Sequence, residues 1–256
     1  MKDLLEAKTF LVAGAGGLIG AEIVSAILSQ GGRVIAADLN VDLMRVKLES
    51  LGINIQKEKL TLIYLDVTNE EIVKNLFSSG IVIDGAVNTT YPRNNKYGSH
   101  FFDVSLESFN ENVSLHLGSA FLFTQQCSKY FNERKEFFSL VNFCSIYGVV
   151  APKFEIYNNT NMTMAVEYAA IKSAILHLNK YVVNYVNDSR FRVNCVSPGG
   201  IFDYQPESFL QAYRKQTHGT GMLDVTDIMG AVLFLLSEQS KYVTGQNIIV
   251  DDGFSL

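Results

Sequence analysis

The stretch TFLVAGAGGLIGAEIVSAILSQGGRVIAAD, residues 9–38, decides the fold. Phe10 to Ala13 is a short apolar run that breaks into glycines at Gly14, Gly16 and Gly17. From Ile19 to Gln30 the apolar residues Ile19, Ile23, Ile27 and Leu28 recur on one helical face. Gly31-Gly32 ends that helix, and Val34 to Ala37 reads as a buried strand closed by Asp38. This is strand, glycine turn, helix, strand. Glycines let a backbone turn tightly and approach a pyrophosphate resting on the helix N-terminus. An acidic residue at the end of the second strand falls where a ribose lies. The stretch therefore predicts a dinucleotide site over Gly14, Gly17, Leu18, Ile19, Gly20 and Asp38. A plainer role for Asp38 is to cap the next helix through Asn40 or its own backbone.

The same alternation continues outward. Helices are expected over Val41–Gly52, Asn69–Ser78, Phe109–Asn132, Met164–Asn187 and Thr226–Ser237. Strands are expected over Thr61–Leu65, Ile81–Val87, Phe138–Cys144, Phe191–Val196 and Asn247–Val250. That makes seven strands with helices between most of them. Strands buried on both faces read as continuous apolar runs, as these do. The expected fold is α/β, a Rossmann-type doubly wound parallel sheet of about seven strands with helices on both faces. It takes up residues 1–256 as a single domain. Ligands in such sheets bind beyond the carboxyl ends of the strands. Gly14, Asp38, Asp66, Asn88, Ser145 and Ser197 follow those ends one after another.

Composition narrows the function. The chain has 256 residues, 48% hydrophobic and 18% charged, enough apolar content for a large core. A net charge of −5 argues against a nonspecific nucleic-acid surface. The longest uncharged stretches, such as Phe137–Pro152, are too short and too polar to cross a membrane. Asp3 and Glu6 precede any apolar run, so the start does not read as a signal peptide. Cys127, Cys144 and Cys195 show no CxxC spacing and fit reduced thiols in the cytoplasm. The four histidines have no metal-ligand spacing, so no metal is expected.

Tyr168 and Lys172 are four apart on an expected helix and so share a face. An ammonium beside a phenol favours the phenolate and draws its pKa towards working pH. With this pair in place the chain resembles the short-chain dehydrogenase/reductase family, in its single-domain branch. The likeness runs from Thr9 to the C-terminus. It rests on the glycine loop, Asp38, Asp66-Val67, Asn88, Asn112, Ser145, Tyr168 with Lys172, the segment 193–200 (VNCVSPGG), and VTGQ at 243–246. The resemblance implies a hydride transfer between a nicotinamide and a hydroxyl/ketone pair. Tyr168 would be the general acid/base, and Lys172 would lower its pKa and hold the nicotinamide ribose. Ser145 would orient the substrate oxygen, and Asn112 would hold a water that relays protons from Lys172. Asp66 and Val67 would face the adenine, and Asn88 would belong to the cofactor site. Pro198, Gly199 and Ile201 would pack on the nicotinamide. Asp38 repels a 2′-phosphate, and no Arg or Lys lies in the loop or directly after Asp38, so the expected cofactor is NAD.

Three departures from the family pattern stand out. The loop reads GxxGxxG at Gly14, Gly17 and Gly20, with Ala13 and Leu18 where threonine and glycine are usual. Asn88-Thr89-Thr90-Tyr91 replaces Asn-Asn-Ala-Gly. Ser145 and Tyr168 are 23 positions apart, more than is usual, through an insertion at 152–163. That insertion either lines the substrate or is passive. A lid is expected over 201–222. Arg93, Lys153, Arg214 and Lys215 fall in these loops and suggest a polar, anionic substrate such as a sugar phosphate or nucleotide sugar. The glycine loop and Val87 to Asn94 are also similar to dehydrogenases of bacterial surface-polysaccharide and flagellin-modification pathways. The second long helix is apolar around most of its circumference, which predicts a homo-oligomer, a dimer or a tetramer. One alternative is a sugar-nucleotide epimerase or dehydratase with recycled NAD. Its relatives append a substrate domain, whereas only Asp251–Leu256 follows the last strand here. Another is a non-catalytic NAD-binding regulator, against which Ser145, Tyr168, Lys172 and Asn112 are all present.

Overall fold

The computed structural model describes residues 3–56 and 59–256. Seven strands form one parallel sheet: β1 (Thr9–Ala13), β2 (Arg33–Asp38), β3 (Leu60–Tyr64), β4 (Gly85–Asn88), β5 (Phe138–Phe143), β6 (Phe191–Pro198) and β7 (Asn247–Val250). Their spatial order is β3-β2-β1-β4-β5-β6-β7. The strand order reverses between β1 and β4, where Ala13 pairs with Asn88. A crevice opens at such a switch point, beyond the carboxyl ends of the strands.

Both faces of the sheet are covered, and the strands alternate between them. Phe10 and Val12 enter one apolar cluster, with α1 (Leu18–Ser29), α2 (Val41–Ser50) and α8 (Met229–Leu236). Leu11 and Ala13 enter the other, with α3 (Glu70–Ser78), α5 (Ser119–Arg134) and part of α6 (Val166–Val186). Both faces being buried explains why the strands read as unbroken apolar runs rather than alternating ones.

Three local readings need correction. The fourth strand begins at Gly85, not Ile81. Asp84 interrupts the run by accepting hydrogen bonds from the Thr9 amide at 2.8 Å and from Lys8. The helix expected over Phe109–Asn132 begins earlier, as α4 (Leu106–Asn112), with Ser105 accepting from the Ser108 amide as its cap. It then widens into a π-helical segment over Val113–Gly118 before α5 resumes. A π segment inserts extra backbone into a helix and is invisible to a 3.6-residue period. Finally, the lid region contains its own helix, α7 (Glu207–Arg214). Phe209 and Tyr213 on its inner side are buried.

Candidate active site

The glycine loop links β1 to α1 by local necessity. Gly14 has φ +81°, a left-handed backbone that a side chain would strain. A Cβ at Gly20 would lie 2.0 Å from the Gly14 carbonyl oxygen, so α1 can pack on the loop only without one. Thr89, just past β4, donates its hydroxyl to the Ala13 carbonyl at 2.8 Å and pins the loop from the other side.

A cavity of about 590 Å³ lies over this loop. Gly14, Gly17, Asp38, Asp66 and Val67 line it. Asp38 accepts from the Gly16 amide at 2.8 Å and from the Asn40 amide at 3.1 Å. The capping role belongs to Asn40, whose side chain accepts from Leu43. Two amides leave part of the Asp38 carboxylate free to accept ribose hydroxyls. Asp66 closes an Asx turn on Thr68 and leaves its flank and Val67 facing the cavity. Leu18 and Gly20 are packing residues of α1 and do not line the cavity. Asn88 does not line it either. Its carboxamide oxygen accepts from Thr90 and shapes the loop from beneath. Arg93 does line the cavity, with its guanidinium 4.8 Å from the Tyr91 ring. A cation therefore shares this cavity, although none is adjacent to Asp38 in sequence. These residues fit a dinucleotide.

A second cavity, of about 440 Å³, adjoins the first along Thr89 and Tyr91. Ile19, Ser145, Tyr168, Lys172, Pro198, Gly199 and Ile201 converge there. Ser145 follows β5, Tyr168 and Lys172 project from α6, and Pro198 ends β6. The Ser145 hydroxyl accepts from the Tyr147 amide at 3.2 Å. Burial raises the Tyr168 pKa above the usual phenol value, and the neighbouring Ser145 hydroxyl opposes that rise. Burial likewise lowers the pKa of Lys172. The Lys172 ammonium lies 5.6 Å from the centre of the Tyr168 ring and donates to the Phe143 carbonyl at 2.7 Å. Burial is the largest influence on the phenol in this arrangement.

Asn112 departs further from expectation. It is buried, and its carboxamide is fully engaged within the protein. It accepts from the Asn94 amide at 3.0 Å and donates to Asn94, to the Ser108 carbonyl and to Glu167. The residue clamps the 92–100 loop onto α4 and lines neither cavity. The side chain of Asn112 thus fastens that loop.

The insertion contributes directly to the second cavity through Tyr157, Met162 and Thr163. The Tyr157 hydroxyl donates to that of Tyr147 at 3.1 Å, and its ring packs on Phe209 of the lid helix. Gln205, Phe209, Tyr213 and Met222 form the lid side. Tyr213 accepts from the Gly200 amide at 2.6 Å and stacks on Phe254 at 4.5 Å.

The basic residues expected around the substrate lie elsewhere. Lys153 donates to the Phe254 carbonyl, Arg93 faces the first cavity, and Arg214 and Lys215 do not line the second. Lys172 is the one cation in its lining.

Three functional neighbours escape the sequence motifs. Tyr91 meets Tyr168 edge-on at 5.5 Å, lies 5.8 Å from the Lys172 ammonium and hydrogen-bonds Tyr97. His116, in the π segment, is buried against Tyr91 at 4.9 Å with Nδ1 unpartnered. Burial first, then Lys172 and Arg93, lower its pKa to about 2. Glu167, fully buried beside Tyr168, has one oxygen on Asn112 and the other unpartnered. The tyrosine after Thr90 was the only available signal, as a departure from the family pattern.

Fold, paired cavities and the Ser145–Tyr168–Lys172 convergence agree with the comparisons: the chain belongs to the short-chain dehydrogenase/reductase family. Residues 14–255 match the family profile described as enoyl-(acyl carrier protein) reductase. The chain is 40% identical to the post-translational flagellin modification protein A of Campylobacter coli, over 99% of this chain and all of that one. It is 26% identical to a 7alpha-hydroxysteroid dehydrogenase of Bacteroides fragilis, covering 98% of this chain and 95% of the relative. A crystal structure of a short chain dehydrogenase from Leptospira borgpetersenii, with bound NAD+, superposes with a TM-score of 0.85 at 33% identity. The match covers 98% of this chain and 94% of that one.

Proposed function

We propose that this oxidoreductase is NAD-dependent and interconverts a hydroxyl and a ketone on a neutral, hydroxylated ring. The observation that carries the reading is the meeting of Ser145, Tyr168 and Lys172 in one cavity that adjoins a second cavity holding Asp38. The nicotinamide, when bound, supplies or accepts the hydride. Tyr168 gives the proton to the substrate oxygen or takes it back. Ser145 orients that oxygen with its hydroxyl, and Lys172 keeps two ammonium protons beyond its Phe143 bond for the ribose side and the phenol. Pro198, Gly199 and Ile201 would back the nicotinamide. Asp38 favours NAD because a 2′-phosphate would face its carboxylate, even with Arg93 in the same cavity.

The substrate class follows from the lining. Tyr91, Tyr97, Tyr147, Tyr157 and Tyr213 offer ring faces and hydroxyls, with Gln205 and Thr163 between them. That combination suits a sugar-like ring. With Lys172 already committed, it offers no partner for a phosphate in the cavity itself. The 40% relative, named for flagellin modification, is in keeping with a carbohydrate role. A dimer or tetramer packed through α6, where Tyr181 and Tyr185 stack at 6.0 Å on an exposed face, remains part of this reading.

The test is a dehydrogenase assay with NAD and NADP against sugars, sugar phosphates, nucleotide sugars and apolar alcohols. NADH formation with neutral or nucleotide-linked sugars supports the proposal. Turnover confined to apolar alcohols or steroids, or to NADP, overturns it. Product formed without net NADH would favour an epimerase.

A further inference from the structure

Behind the catalytic groups lie two thiols that the proposed reaction does not use. Cys144 follows β5 immediately before Ser145, and Cys195 lies in β6 opposite Asn142. Both are buried in a small cluster with Ala120, Ile171 and Ile175. Their sulfur atoms lie 2.8 Å apart, about 0.8 Å beyond the disulfide bond length of about 2.0 Å. Asn179 donates to Cys195 Sγ at 3.0 Å and holds it in place. Cys144 is also among the residues that line the second cavity, whereas Cys195 is not.

We propose that Cys144 and Cys195 form an oxidisable dithiol, closed to an intramolecular disulfide by hydrogen peroxide entering through the substrate cavity. The Cys144 sulfur attacks one peroxide oxygen and the O–O bond breaks. The departing hydroxide takes up the thiol proton and leaves as water, and Cys144 becomes a sulfenic acid. Cys195 then attacks that sulfur and expels the second hydroxide, which leaves as water with the Cys195 proton. The two thiols lose two electrons, and the peroxide is reduced to two waters.

The local electrostatics are mixed. Burial holds the Cys195 thiol well above its usual pKa, while the Lys172 charge pulls it the other way. Cys144, which belongs to the cavity lining, suits the first attack, and Cys195, one layer further in, the resolving role. Closing the bond ties the residue before Ser145 to β6, next to the Phe143 carbonyl that holds Lys172. Cys127, buried in α5 within the other cluster, takes no part. The inference does not depend on the dehydrogenase reading.

The test exposes the full chain to hydrogen peroxide, blocks free thiols in denaturant, and measures intact mass and a tryptic map. The expected result is loss of two hydrogen atoms, one blocked thiol in place of three, and a linked peptide pair containing residues 144 and 195. Cys127→Ser should behave the same, while Cys144→Ser and Cys195→Ser should not close the bond. If either serine variant fails to fold, the map of the unaltered chain decides. Three blocked thiols, oxygen addition without a linked pair, or a disulfide between two chains would overturn the proposal.

Discussion

The two cavities share Thr89 and Tyr91 yet are built differently. The Asp38 side is made chiefly of backbone turns at consecutive strand ends. Its chemistry depends on amides, one carboxylate and the absence of side chains at glycines. The Ser145 side is assembled from β5, the insertion, α6, the end of β6 and the lid, with aromatic rings contributed by several of these segments. The first recognises a fixed group and needs little room for change. The second can be altered one loop at a time without disturbing the sheet.

The sharpest way to separate the two is Tyr168→Phe. It should leave NADH binding intact, while turnover falls roughly 100- to 10,000-fold, the span of a lost general acid/base. Undiminished turnover would remove Tyr168 from the chemistry. Asp38→Ala addresses the other side. Removing a charged acceptor of ribose hydroxyls costs roughly 1.5–3 kcal/mol, so NADH affinity measured by fluorescence should fall by about 10- to 100-fold. Equal weakening of NADPH would show that Asp38 supports the loop without selecting the cofactor.

A pH series examines the wall between them. His116 stays neutral in the folded chain down to about pH 2, whereas an unfolded imidazole titrates near 6.5. Between those values the unfolded chain binds a proton that the folded chain does not. Stability from this residue is complete above pH 6.5 and is lost as pH falls. At pH 4.5 the loss is on the order of a few kcal/mol. Urea unfolding of His116→Gln should show a correspondingly smaller fall between pH 7 and 4.5. A slope equal to that of the unaltered chain would count against the neutral buried imidazole. A stability effect of similar size is expected at Gly20. Its alanine variant would push α1 off the Gly14 carbonyl and destabilise by about 1–3 kcal/mol, read as a lower urea midpoint.

The contrast also explains what could be read from the sequence. Strand, glycine turn and helix are neighbours in the chain, so local periodicity places the loop and Asp38 together. The crossing of seven strands then brings Ser145 and Lys172 to the same edge without any further signal. The second cavity depends on contacts between distant segments. Nothing local distinguishes Lys153 bound to the Phe254 carbonyl from Lys153 facing a substrate. Nor does spacing reveal that Asn112 spends its carboxamide on Asn94, because the loop geometry that decides this comes from Ser105, Ser108 and the π segment. The α7 helix has an apolar side in Phe209 and Tyr213, and its eight residues give too short a run for periodicity alone to mark it within the lid.

The C-terminal tail gives the substrate side a mechanical aspect. Phe254 stacks on Tyr213 of the lid helix, its carbonyl holds Lys153 of the insertion, and Asp252 accepts from the Gly219 and Gly221 amides. Insertion, lid and tail therefore share one set of fastenings. Releasing any one of them loosens the other two, so the three should exchange amide hydrogens as a single unit and not in sequence. A fusion placed after Leu256 then pulls on the fastenings that hold the lid and the insertion.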